Sequence, residues 1–175
     1  MRTNAKTRDL ALAGLMIAAG VVLHSFPPLI GGMKPDFSLI MLILYALLRR
    51  DKKVTLAAGL ATGVITAITT GFPGGQIPNV IDKTLTTLML LGITALPESY
   101  VNALITSAVG TLFSGLVFLG SAYFIAGLPV PFATLFTSVV LPAAGINTVA
   151  VAVLYPVALK ITSMLDRRTA AGEKA

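Results

Sequence analysis

The run Phe37-Ser38-Leu39-Ile40-Met41-Leu42-Ile43-Leu44-Tyr45-Ala46-Leu47-Leu48 is closed at once by Arg49-Arg50-Asp51-Lys52-Lys53. A dozen apolar residues ending in a block of charge set the terms for the whole chain. Of its 175 residues, 55% are hydrophobic and only 11% are charged. The mean hydropathy is +0.89. No water-soluble single domain keeps that much apolar surface covered, so most of the chain has lipid as its solvent.

A hydrocarbon core of about 30 Å needs roughly 20 apolar residues per helix, so the length accommodates six spans with short connections, as one domain over residues 1–175. The expected spans are residues 9–27, 35–49, 53–70, 77–97, 100–127 and 132–163. The lysines and arginines fix the orientation. Arg2, Lys6, Arg8, Arg49, Arg50, Lys52, Lys53, Lys160, Arg167, Arg168 and Lys174 all flank apolar runs. Under the positive-inside rule these stretches are cytoplasmic, which requires an even number of spans with both termini inside. The fold class is therefore an all-α integral membrane bundle.

The outer connections, 28–34, 71–76 and 128–131, are rich in glycine and proline instead. Pro27-Pro28, Gly31-Gly32, Pro73-Gly74-Gly75 and Pro129-Val130-Pro131 cannot continue a helix and make loops able to fold down over a bound molecule. The opening run, Phe37 to Leu48, rises only about 18 Å at roughly 1.5 Å per residue, too little to cross the core. Its outer end is thus expected below the surface, which carries Met33-Lys34-Pro35-Asp36 into the protein, with Pro35 suited to a first helical turn. The last span is long, and Pro142 with Gly145 is expected to kink it and free backbone carbonyls.

Several function classes are excluded. The chain has no cysteine, so thiolate catalysis, disulfides and cysteine-bound metal are unavailable. No Gly-x-x-x-x-Gly-Lys-Ser/Thr segment is present, so any energy for active work comes from another subunit or an ion gradient. His24 is the one histidine, and without a Gly-x-Ser-x-Gly or His-Glu-x-x-His motif an intramembrane hydrolase is not expected. No cofactor or resident metal is implied. The net charge of +6 sits at helix flanks and does not point to nucleic acid. The basic-then-apolar beginning, through Leu23, reads as an uncleaved first span and not as a signal peptide.

Charges inside the hydrocarbon are the most informative residues, because each costs about 2.5–3.5 kcal/mol at the centre of a span. Asp82 and Lys83 fall early in the fourth span, on its outer side. Adjacent helix residues point about 100° apart, so the two are not expected to be simply each other's partner. Asp82 shares a face with Asn79 and Thr86, and Lys83 shares one with Gln76 and Thr87. Two readings stand: structural ion pairs with Lys34 and Asp36, or a ligand-facing set. Both can hold, in the empty and loaded states. Mixed signs suit a zwitterion, with Lys34 or Lys83 on a carboxylate, Asp36 or Asp82 on an ammonium, and Gln76 and Asn79 as neutral partners. Phe37 and Phe72 lie beside these groups and can stack on a planar ring or serve only as packing.

His24 and Asn147 are further candidates, each with a structural alternative. Thr62, Thr66 and Thr69, and Ser107, Thr111 and Ser114, recur at helical spacing and are expected to join helices rather than bind substrate. Ala11, Gly14 and Ala18 form a small-residue stripe on the first span that lets another helix approach, from this chain or from a partner.

Gly31-Gly32-Met33-Lys34-Pro35-Asp36-Phe37-Ser38-Leu39, with Phe72-Pro73-Gly74-Gly75-Gln76-Ile77-Pro78-Asn79 and Ile81-Asp82-Lys83, resembles the bacterial tryptophan transporter family. Its members are regarded as substrate-binding S components of energy-coupling factor (ECF) transporters. The resemblance is strong over about residues 8–90 and rests on length and hydropathy beyond. It implies a six-helix S-component fold in the bacterial cell membrane that binds tryptophan from outside beneath the first, third and fifth loops. It further implies a transmembrane scaffold subunit, two ATPases and delivery by tilting of the whole S component. Such proteins commonly meet the scaffold through an Ala-x-x-x-Ala-type stripe on helix one, matched approximately by Ala11, Gly14 and Ala18.

The residues agree with that substrate. Tryptophan needs a cation, an anion, an aromatic slot and an acceptor for its indole N–H, and the two loop–helix junctions supply these types. No arginine lies in the outer half, which argues against phosphate-bearing ligands. The competing expectation is an autonomous gradient-driven carrier or channel using Asp82 and Lys83 as ion-linked charges. No inverted repeat is visible to support it.

Overall fold

A computed structural model describes residues 5–25, 35–93 and 97–172. Among them every regular element is helical: α1 (Ala5–Ser25), α2 (Phe37–Arg49), α3 (Lys52–Ile68), α4 (Gln76–Ile93), α5 (Tyr100–Ile125), α6 (Phe132–Leu135) and α7 (Leu141–Gly172). A π-helical turn, Phe136–Val140, joins α6 to α7 without a break. The chain thus makes six helical runs in the expected order. Three of them hold segments long and apolar enough to cross a membrane: Thr7–Ser25, Tyr100–Ile125 and Phe132–Arg167.

Local chemistry sets the boundaries. Asp36 caps α2 by accepting the Leu39 N–H at 3.0 Å. At the other end Arg50 adopts a left-handed conformation, φ 50°, and its N–H bonds the Ala46 carbonyl. Asp51 immediately caps α3, accepting the Lys53 and Val54 N–H groups at 2.9 and 3.1 Å. The α2–α3 connection is therefore two residues long, and the helices form a tight antiparallel hairpin. Ser99 caps α5 in the same manner through Asn102.

The interruption expected at Pro142 and Gly145 falls one turn earlier. Pro142 has no N–H, and its ring crowds the carbonyl four residues before it. The π turn widens the helix just upstream, so that the Leu141 N–H reaches back to the Phe136 carbonyl. Thr137 and Ser138 donate their hydroxyls to the Ala133 and Thr134 carbonyls, at 2.8 and 2.6 Å, which satisfies this stretch from within. Pro156 also lies inside α7.

α2 is the centre of the bundle. Its 13 residues include ten that are buried, and α1, α3, α4, α5 and α7 all pack on it. Leu39, Ile40, Leu42, Ile43 and Leu44 form one apolar core with Leu90, Ala103, Val151 and Tyr155. The outer helices show the reverse pattern, exposing Leu15, Val64, Leu88, Ile105 and Val153. That inside-out distribution is what a lipid surround requires. α3 and α4 meet at a glycine seam: a Cβ on Gly59 would overlap the Thr87 side chain, and one on Gly63 would lie 3.3 Å from Lys83 Cβ. Close approach here sets the depth at which Lys83 enters the bundle.

One end of the bundle is tied by charge. Arg49 Nη1 donates to both Asp166 carboxylate oxygens at 3.0 Å, and Arg49 Nε lies 3.4 Å from Asp9 Oδ1. Arg8 Nη2 is 2.9 Å from the same Asp166. The start of α1, the end of α2 and the end of α7 therefore share one end, and the helices alternate in direction.

Candidate functional site

At the opposite end the helices surround a cavity of about 860 Å³. Its wall draws on the last residues of α1, the approach to α2, the α3–α4 loop, α4, the middle of α5, the π turn and α7. The volume lies within the range of ordinary small-molecule sites, roughly 300–1,000 Å³.

Lys83 is the hub of its polar side. The side chain is 2% exposed, and Nζ lies 2.8 Å from Asp36 Oδ2, 2.8 Å from Asp82 Oδ2 and 3.4 Å from Ser114 Oγ. An ammonium has three N–H donors, and here each has an acceptor. Asp82 and Lys83 pair, but not simply with each other: the long lysine stem bends around the roughly 100° offset, and Nζ also reaches Asp36. Asp82 is completed by the Thr86 hydroxyl, which donates to Oδ1 at 2.9 Å. Asp36 Oδ1, besides capping α2, lies 3.5 Å from His24 Nδ1.

Asn147 links this cluster to α5 and α7. Its Oδ1 accepts the Asp36 backbone N–H at 3.2 Å, and its Nδ2 donates to Thr111 Oγ1 at 3.2 Å. The residue is fully buried. Asn79 donates to the Gly75 carbonyl at 2.8 Å, which fixes the α3–α4 loop against the first turn of α4. On the apolar side Phe72 and Phe118 meet edge to face, with ring centroids 5.2 Å apart. Leu39, Leu119, Leu135, Val139 and Val140 fill out that wall.

Seven residues singled out in the sequence, His24, Asp36, Phe72, Asn79, Asp82, Lys83 and Asn147, border this cavity together. Lys34 lies outside the described residues. Phe37 packs into the core cluster around α2, and Gln76 is exposed at the start of α4. Neither is on the cavity wall. Ala11, Gly14 and Ala18 face outward on α1, and the space beyond Gly14 is open.

Thr111, Ser114 and Phe118 are wall residues that sequence reading did not assign to the site. Their spacing of three and four along α5 is the signal that could have found them, since it places all three on one helical face. Thr111 and Ser114 do join helices, through Asn147 and Lys83, and border the cavity as well. Thr62, Thr66 and Thr69 bond carbonyls of α3 itself, and Thr69 also borders the cavity.

The family model described as Tryptophan transporter TrpP matches residues 6–163. A probable tryptophan transport protein of Bacillus subtilis is 44% identical over 156 residues, covering 87% of this chain and 91% of that protein. One of the same description from Clostridium acetobutylicum is 44% identical over 173 residues, covering 96% of this chain and 100% of that protein. Another, from Clostridium perfringens, is 40% identical over 174 residues, 91% of this chain and 96% of its own length. No solved structure matches the chain. With the matched region running from the first helix into the last and containing every residue of the cavity wall, the chain belongs to the tryptophan transporter family.

Proposed function

We propose that the cavity captures L-tryptophan from the outside, and that the chain is the substrate-binding S component of an ECF-type transporter. The observation that carries this is the combination, around one cavity, of a lysine held by two carboxylates and a Phe72–Phe118 aromatic pair. A zwitterion with a planar ring needs those two halves. In this reading all six helical runs lie across a bacterial cell membrane, α2 below its outer surface. The end bearing Arg8, Arg49 and Asp166 is cytoplasmic, so the cavity opens away from the basic flanks.

The substrate then leaves inward by assembly with a transmembrane scaffold and two ATPases, met through the outward stripe Ala11, Gly14 and Ala18. The chain's own part is capture, not chemistry. Purified protein is expected to bind tryptophan at one-to-one stoichiometry in a calorimetric titration, and absence of binding by folded protein overturns the substrate. In proteoliposomes, uptake is expected only with the partner subunits and ATP. Uptake by this chain alone, driven by a proton or sodium gradient, would establish the autonomous carrier instead.

A further inference from the structure

We infer that the amino acid enters by opening one contact, the Lys83–Asp36 ion pair. Its ammonium takes Asp36, and its carboxylate takes the Lys83 donor that Asp36 gives up. Asp82 stays on Lys83 throughout. This assignment rests on reading the cavity as a tryptophan site.

The two carboxylates are not equivalent. Asp82 sits inside α4 with its side chain 2% exposed, and both its oxygens are engaged within one turn of the same helix, by Lys83 and Thr86. Removing Lys83 from it would leave a charge stranded away from water. Both residues border the cavity, but Asp36 lies before the first turn of α2 and its side chain is 26% exposed. Only its Oδ2 engages Lys83, while Oδ1 remains held by the Leu39 N–H. Asp36 can therefore release Lys83 and keep both its position and its cap.

Charge counting favours exchange at this contact. Asp36, Asp82 and Lys83 together carry one net negative charge. A zwitterion leaves that total unchanged. Once inserted, it produces an alternating row: Asp36, ligand ammonium, ligand carboxylate, Lys83, Asp82. Every charge then has an opposite neighbour, and Lys83 again has three acceptors. A ligand lacking the ammonium adds a second uncompensated negative charge, so it is the most strongly rejected.

The test compares tryptophan with indole-3-propionate, which keeps the ring and carboxylate and lacks the ammonium, by titrating the purified full chain. Wild type is expected to prefer tryptophan by about a hundredfold or more, the scale for stranding one partner of a buried charge pair. Asp36→Asn should shrink that preference to about tenfold or less, since asparagine preserves the helix cap and removes the charge. Asp36→Ser, also a capping residue, should do the same. Asp82→Asn should weaken both ligands and keep their ratio.

A preference that survives Asp36→Asn overturns the assignment, as does one lost equally in Asp82→Asn. Wild-type protein that binds no tryptophan removes the reading of the cavity itself. Binding with a ratio indifferent to Asp36 removes the assignment alone.

Discussion

Lys83 Nζ lies 2.8 Å from Asp36 Oδ2 although 47 positions separate the two residues in the chain. That contact pins the middle of α4 to the approach of α2, the short helix around which the rest is packed. It also places a buried ammonium between two acids, so the three groups stand or fall together.

Replacing Lys83 by methionine is expected to destabilise the protein by about 3–5 kcal/mol, because two carboxylates lose their counter-charge at once. Adding Asp36→Asn and Asp82→Asn should recover much of that loss, a coupling characteristic of groups in direct contact. Thermal unfolding of the three proteins in detergent measures both effects. Equal stability of Lys83→Met and wild type contradicts the pairing described.

Phe118→Ala and Phe72→Ala should each weaken tryptophan binding. An aromatic ring packed on the indole contributes about 0.5–1.5 kcal/mol beyond its buried area, or roughly two- to tenfold in affinity. If the rings act as one wall, the double substitution costs less than the two single costs combined. Titration of the four proteins gives the coupling directly.

Gly59→Ala should destabilise by about 1–3 kcal/mol, since its new methyl meets the Thr87 side chain. Gly14→Ala, with open space around the added carbon, should leave unfolding unchanged. Gly14→Leu is the informative counterpart. It is expected to keep the fold and tryptophan binding while blocking co-purification with a scaffold subunit. Undiminished assembly in that variant would place the partner surface elsewhere.

Arg49→Ala should cost about 1.5–3 kcal/mol, the range for hydrogen bonds made by a charged group. Arg49 bonds both oxygens of Asp166, yet that carboxylate is 46% exposed, so the lower end of the range is expected. Tryptophan affinity should stay the same, because the cluster lies at the far end from the cavity. An affinity change would reveal coupling between the two ends.

Much of this was legible in the sequence because membrane proteins spend charge sparingly. Asp82 and Lys83 stand out in an apolar run, and Asp36, at the head of the short Phe37–Leu48 segment, borders the cavity beside them. Phe37 itself was misleading. It follows Asp36, but the first turn of α2 rotates it into the core. Gln76 likewise shares a helical face with Lys83, yet it lies two turns nearer the end of α4, where that face is exposed. Spacing gives direction around a helix and says nothing about where along its length the neighbours stop.

The contribution of α5 was harder to read. Serine and threonine inside a helix often bond the carbonyl one turn back, as Thr62 and Thr66 do. Spacing puts Ser114 on one face with Thr111 and Phe118, but its role depends on a lysine from another helix. The π turn was hidden for a related reason. Pro142 announces a disturbance, but which side of the proline yields depends on the helices packed there.

α2 presents almost no surface to lipid, with ten of its 13 residues covered by five other helices. A bilayer alone offers such a segment no berth: at about 20 Å it is too short to anchor itself. Its slot exists only where helices from both sides of it in the chain, α1 and α7 among them, come together. α2 is the keystone of the bundle, held by the arch of helices around it.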